Sequence, residues 1–113
     1  MNALHAHQGQ DGPRELAELM RRLQDQQAEI DRVRQDVDAT LVSGCSRDNE
    51  VTVTVRGTGR FTEVSIDPEA LRRYDARDIG AIVVEAANDA LDRLAQHAAQ
   101  RLAPALDAAD EWP

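Results

Sequence analysis

With 113 residues the chain has room for one domain, and its 42% hydrophobic content leans on alanine, with Phe61, Tyr74 and Trp112 the three aromatics. Alanine and valine bury little area each, so a monomeric core would be thin and self-association is the economical remedy. A formal net charge of -8 excludes a strongly basic, non-specific nucleic-acid binder, and no apolar run approaches the ~20 residues of a membrane span.

Residues 1–12, MNALHAHQGQDG, are polar and carry neither the basic nor the apolar region of a signal peptide. They read as a flexible leader. His5 and His7 on it are too sparse for a metal site. Cys45 is the single cysteine, which rules out an intrachain disulfide and points to a reducing compartment. The expectation is a soluble, cytoplasmic protein with no cofactor and no metal.

A helix is predicted from Pro13 through PRELAELMRRLQDQQAEIDRVRQDVDATL. Pro13 suits the first turn, and Glu15 and Glu18 suit the positive end of the helix dipole. Leu16, Leu23, Ile30 and Val37 recur every seven residues, with Leu19, Gln26, Val33 and Thr40 at the companion positions. That is a coiled-coil-like seam with a half-polar second row. The apolar stripe is narrow and the helix long, so much of it should project or lie on a partner chain.

A three-stranded antiparallel meander follows. Ala39–Ser46 is the first expected strand, Arg47-Asp48-Asn49 a polar turn, Glu50–Arg56 the second strand and Arg60–Ile66 the third. Gly57-Thr58-Gly59 closes a hairpin in which glycine accepts positive φ. Val64 and Ile66 are expected on one face of the third strand and Phe61 on the other. Asp67-Pro68 ends the sheet, and EALRRY forms about one helical turn.

Asp75 then caps a second long helix, ARDIGAIVVEAANDALDRLAQHAAQRLA. Its wide apolar face, with slim Ala86, Ala87 and Ala90 in the middle, is the cover the sheet needs. Pro104 ends or kinks it. The domain is thus bounded at 13–104, and 105–113 is an acidic tail with Trp112 exposed. The sheet reads as a joint, with Val51, Val53, Val55, Val64, Ile66, Ile82, Ala86 and Ala90 as the expected homodimer interface.

No catalytic constellation emerges. RGTGR joins two strands rather than opening a helix, so it is a hairpin and not a nucleotide loop. Asn88-Asp89 inside the apolar helix is the one polar oddity, and the pair is expected to cap a neighbouring strand or loop end by hydrogen bonds.

Taken in order, these segments resemble the YbaB/EbfC family of small bacterial nucleoid-associated proteins. The resemblance rests on LQDQQAEID, a following Val-Ser-Gly, VTVTVRGTGRFTEVSIDPEAL with its Ile66-Asp67-Pro68, and ARDIGAIVVEAANDALDRL with Asn88-Asp89-Ala90 and Arg93. It implies an α+β fold ordered α-β-β-β-α, a tweezer-like homodimer with projecting N-terminal helices, duplex DNA as partner, association with the nucleoid, a role in gene regulation and no enzymatic activity. Some actinobacterial relatives serve specialised secretion systems of the type VII kind, which implies a protein-protein adaptor or chaperone as the alternative.

The sequence departs from the family where lysines are common. All 13 basic residues are arginines, and residues 1–42 carry five of them against eight acids, a balance of -3. DNA affinity comes largely from phosphate neutralisation, so a net-negative prong has to gather its arginines on one face. The DNA contacts expected are Arg14, Arg21 and Arg22 on the prong, with Arg72, Arg73 and Arg77 as a second patch near the sheet.

Overall fold

The computed structural model describes residues 2–110, with side chains for 12–107. The elements follow as α1 (Asn2–Ala39), β1 (Leu41–Cys45), β2 (Val51–Arg56), β3 (Phe61–Ile66), α2 (Pro68–Arg73) and α3 (Ala76–Asp110). The expected α-β-β-β-α order is what forms, with the short α2 between sheet and last helix. The molecule extends 89 × 19 × 16 Å, with a radius of gyration of 24.6 Å. A compact chain of this length would have about 13 Å.

The core is two layers deep. The antiparallel sheet is ordered β1-β2-β3, and α3 lies across β1 and β2. Alternation puts Val51, Val53 and Val55 on the helix side, where none keeps more than 1% of its surface. They meet Ala86, Ala90 and Leu94 of α3. Such small side chains reach full burial only because the backbones come very close. A Cβ on Gly44 would lie 2.5 Å from the Ala90 Cα, inside the helix backbone. The only side chain that fits at 44 is a hydrogen atom.

A second close approach joins α1 to the sheet. A Cβ on Gly57 would overlap the Val37 carbonyl, and the Gly57 amide donates to the Thr40 carbonyl at 2.9 Å. In this hairpin it is Gly59, at φ 89°, that uses the left-handed region. Gly57 is there for proximity. The β1–β2 turn uses the same region at Asn49, φ 59°, a residue type that tolerates it.

Caps fall where the sequence places them. Asp67 Oδ1 accepts from the Glu69 amide at 3.0 Å, with Pro68 opening α2, and Asp75 Oδ1 accepts from the Asp78 amide at 2.9 Å. Three expectations need correction. The backbone of α1 is helical from Asn2 and passes through Pro13, where the ring forfeits one helical hydrogen bond and crowds the carbonyl four residues back, while Ala3, Leu4, Ala6, Gln8 and Gln10 before it favour helix. Likewise α3 runs through Pro104 to Asp110. Finally, the β2–β3 register shifts between Thr54 and Val55, so that Phe61 sits opposite Val55. Cross-strand partners share a face, and the bulge turns Phe61 to the same side as Val64 and Ile66. The side chains of His5 and His7, and all of Trp112, lie outside the described residues.

The seam of α1 divides in two. Its C-terminal half packs against the end of α3, with Val33 and Val37 buried and Ile30 half-buried. Gln26 Nε2 donates to the Ala105 carbonyl at 3.0 Å, and Arg101 pairs with Asp36 at 3.4 Å, so the two helices run antiparallel. Further out, α1 projects, and Leu16, Leu19, Met20 and Leu23 stay 46–58% exposed.

The Gly44 contact is testable. Gly44→Ala should destabilise by about 1–3 kcal/mol or more, since the added methyl meets backbone that cannot rotate away. Gly59→Ala meets open space and only a local φ penalty, so it should cost less. Urea denaturation of both variants measures the difference, and equal midpoints would contradict the close approach.

Candidate nucleic-acid interface

Two carboxylates of α3 fix the edge of the sheet. Asp89 Oδ2 accepts from the Cys45 amide at 2.9 Å and from Arg93 Nε at 2.9 Å, and Glu85 Oε1 accepts from the Arg47 amide. Glu85 and Asp89 are one turn apart and face the same side. Asp89 thus occupies an amide at the end of β1 that would otherwise be open for pairing, and Glu85 an amide in the β1–β2 turn. Of the Asn88-Asp89 pair expected to cap a strand or loop end, it is Asp89 that does so. Asn88 is exposed. The Cys45 amide first, and the Arg93 guanidinium second, hold the Asp89 carboxyl below its ordinary pKa.

The other flank of α3 is apolar. At about 100° per residue, Val84 and Leu91 lie on the opposite side of the buried stripe from Glu85 and Asp89. Since Glu85 and Asp89 overlook β1, Val84 and Leu91 overlook β3. They are 58% and 39% exposed, and Phe61 and Val64 on β3 are 46% and 48% exposed. Helix flank and strand together form an uncovered apolar trough. Of the residues expected at a homodimer joint, Val64, Ile66 and Ile82 keep surface to offer. Val51, Val53, Val55, Ala86 and Ala90 are already buried within the protomer.

The arginines sort by partner. On the prong, Arg14 and Arg21 line one open cleft with Ala17 and Glu18, being two turns apart on one face. Arg22 pairs with Glu18 at 3.2 Å. Near the sheet, Arg72 pairs with Glu69 at 2.8 Å. Arg73 is held by the buried Glu50 at 2.7 Å and lies 5.5 Å from the Tyr74 ring centroid. Of the expected patch of Arg72, Arg73 and Arg77, two members thus also pair with a carboxylate, and only Arg77 of the three has no ion pair among the described residues. Arg56 and Arg60, whose place in a hairpin gives no sign of a role in the sequence, line another cleft with Thr58 and Thr62.

The fold of this helix-sheet body with its long first helix is one that known proteins share. The sequence profile of the YbaB/EbfC DNA-binding family matches residues 12–109. The chain belongs to this family. Among relatives, a nucleoid-associated protein of Nocardia farcinica is 30% identical over 93 residues, covering 82% of this chain and 84% of its own. One from Corynebacterium kroppenstedtii is 31% identical over 87 residues, covering 77% and 87%. An uncharacterized protein from Helicobacter pylori has the same fold, with a TM-score of 0.57 and 20% identity over 72% of this chain and 85% of that one.

This YbaB/EbfC chain comes from a DNA-binding family rather than an enzyme family. Among its described residues no group of three His, Cys, Asp or Glu side chains is arranged to hold a metal ion. No helix among them is long and apolar enough to cross a membrane.

The Asp89 clamp carries a pH signature. Its folded pKa is depressed, so its contribution is present above the unfolded Asp value of about 4 and is lost as pH falls through the lower folded value. Asp89→Asn should lower the melting temperature at neutral pH. The gap to the parent should close as pH drops below about 4. A gap that stays constant on acidification would show that the charge is not what holds β1.

Proposed function

We propose that the chain acts as a nucleoid-associated homodimer that binds duplex DNA through backbone phosphates, with limited sequence preference and a consequent role in gene regulation. The observation that carries the reading is the family match over 98 residues, 12–109, of a chain whose first helix projects with Arg14 and Arg21 in one open cleft. The relatives named nucleoid-associated proteins support it. So does the make-up of that cleft: arginine forks grip phosphate and position the protein, while sequence discrimination needs groove contacts.

The homodimer is supported by the trough. Asp89 occupies the Cys45 amide at the end of β1 and Glu85 an amide in the turn after it, whereas β3 has apolar residues and an unpaired edge beside the exposed Val84 and Leu91. Burying such a surface against its twin completes a core that is thin in one protomer. Two prongs then stand on one body and present their arginines in duplicate.

A second reading is favoured by one observation. Leu16, Leu19, Met20 and Leu23 form an exposed apolar stripe on the prong, a surface that suits an amphipathic helix of another protein. In that adaptor reading, partner binding tolerates salt and depends on the leucines rather than the arginines.

Two measurements test these statements. Arg14 and Arg21, doubled by the dimer, offer four phosphate contacts and a log-log salt slope of roughly -3.6. Arg14→Ala with Arg21→Ala should remove most of that slope and weaken all duplex sequences alike. Binding that ignores salt, or survives the double change, sinks the prong contact, and no duplex binding at low salt favours the adaptor. For the joint, Val64→Asp should give folded monomers by sedimentation, because Val64 is half-exposed within the protomer. Val53→Asp should unfold the chain at a cost of several kcal/mol. A wild type that sediments as a folded monomer at micromolar concentration overturns the dimer.

A further inference from the structure

We infer that the β2–β3 hairpin is a phosphate-binding site, in which Arg56 and Arg60, with the hydroxyl of Thr58, hold one phosphate group. The site stands apart from the prong and does not depend on it.

The lining makes the case. The cleft encloses ≈ 690 Å³ and is bounded by two guanidiniums and two hydroxyl-bearing residues, with no carboxylate. The prong cleft includes Glu18. The cleft between the β1–β2 turn and α3 includes Asp48, Glu50, Asp78 and Glu85 and repels anions. In a chain of net charge -8, carboxylates take up Arg22, Arg32, Arg72, Arg73, Arg93 and Arg101. Among the described residues Arg56 and Arg60 have no such partner, and they flank the same turn.

The turn is also built to stay still. The Arg56 amide donates to the Arg60 carbonyl at 2.7 Å and the Gly59 amide to the Arg56 carbonyl at 2.7 Å. Gly57 is pressed against Val37 and bonded to Thr40. Both guanidiniums therefore spring from a fixed backbone, so less order has to be imposed when an anion arrives. Two planar forks and the Thr58 hydroxyl match the several acceptor oxygens of a phosphate, which a single point charge would not orient, while the Thr62 hydroxyl donates across the hairpin to the Thr54 carbonyl.

The phosphate can belong to a DNA backbone or to a small phosphorylated molecule, and one experiment separates the two. The full chain, labelled with ¹⁵N, is titrated with inorganic phosphate against sodium chloride of equal ionic strength, beside the Arg56→Gln/Arg60→Gln and Arg56→Lys/Arg60→Lys variants. The amides of residues 56–62 should shift with phosphate beyond the chloride control. The glutamine variant should lose the response, and the lysine variant should keep it weakly. Salt-titrated duplex binding is then measured on the same proteins. A slope flatter in the glutamine variant by about 0.9 for each phosphate it no longer neutralises assigns the site to the DNA backbone. An unchanged slope with intact wild-type phosphate shifts assigns it to a small phosphorylated ligand. A wild type that shifts with phosphate yet binds no duplex removes the prong reading and leaves this site standing. No phosphate-specific shift together with an unchanged duplex slope overturns it.

Discussion

The spacing between α3 and the sheet at Gly44 is the constraint on which the rest depends. A helix that rides this low over β1 lets valine and alanine reach full burial, which they could not do beneath a helix held up by larger side chains. It also brings Glu85 and Asp89 within hydrogen-bonding reach of the Arg47 and Cys45 amides. The position of the helix is then fixed twice, once by contact and once by charge-assisted hydrogen bonds. Because α3 is committed to β1 and β2, it cannot also cover β3. The exposed trough beside β3 follows from the same close approach that makes the core possible.

Charge sorting is the second organising fact. The chain carries 21 acidic and 13 basic residues, so many guanidiniums find a carboxylate nearby, often one helical turn away. Those exposed pairs are weak individually, so each only partly offsets its arginine's charge toward an external phosphate. Arg73 is the firmest case, since its partner Glu50 is buried and would be left uncompensated without it. What remains for an anion outside is set by geometry. Arg14 with Arg21, and Arg56 with Arg60, are the pairs that share a cleft and stay clear of the ion pairs described.

Much of this fold is legible in the residues, and the reasons are local. Alternation in VTVTV, the capping aspartates 67 and 75 and the seven-residue recurrence on α1 are each written within a few positions of where they act. What escapes a reading of the sequence involves relations across the chain. The bulge that turns Phe61 depends on how β3 pairs with β2, and nothing in FTEVSI itself marks it. Asn88 and Asp89 differ in which faces the end of β1, a matter of about 100° around the helix axis. Arg72 and Arg73 look available in the sequence, yet Arg72 is taken by Glu69 one turn before it, and Glu50, more than twenty residues away, is brought under Arg73 by the fold. Gly44 and Gly57 do carry a signal: a glycine at the end of a strand marks a bend or a close backbone approach as readily as a turn.

The long helix is also a lever. Its base is held at Val33, Val37 and the Gly57 contact, and its outer stretch stands clear of the body. With some 20 residues beyond the last buried contacts, the free arm is about 30 Å long. A rotation of about 10° at the base then sweeps the tip through about 5 Å. Side chains at the root of α1, remote from any arginine on the arm, consequently set where the tip of the arm stands relative to the body.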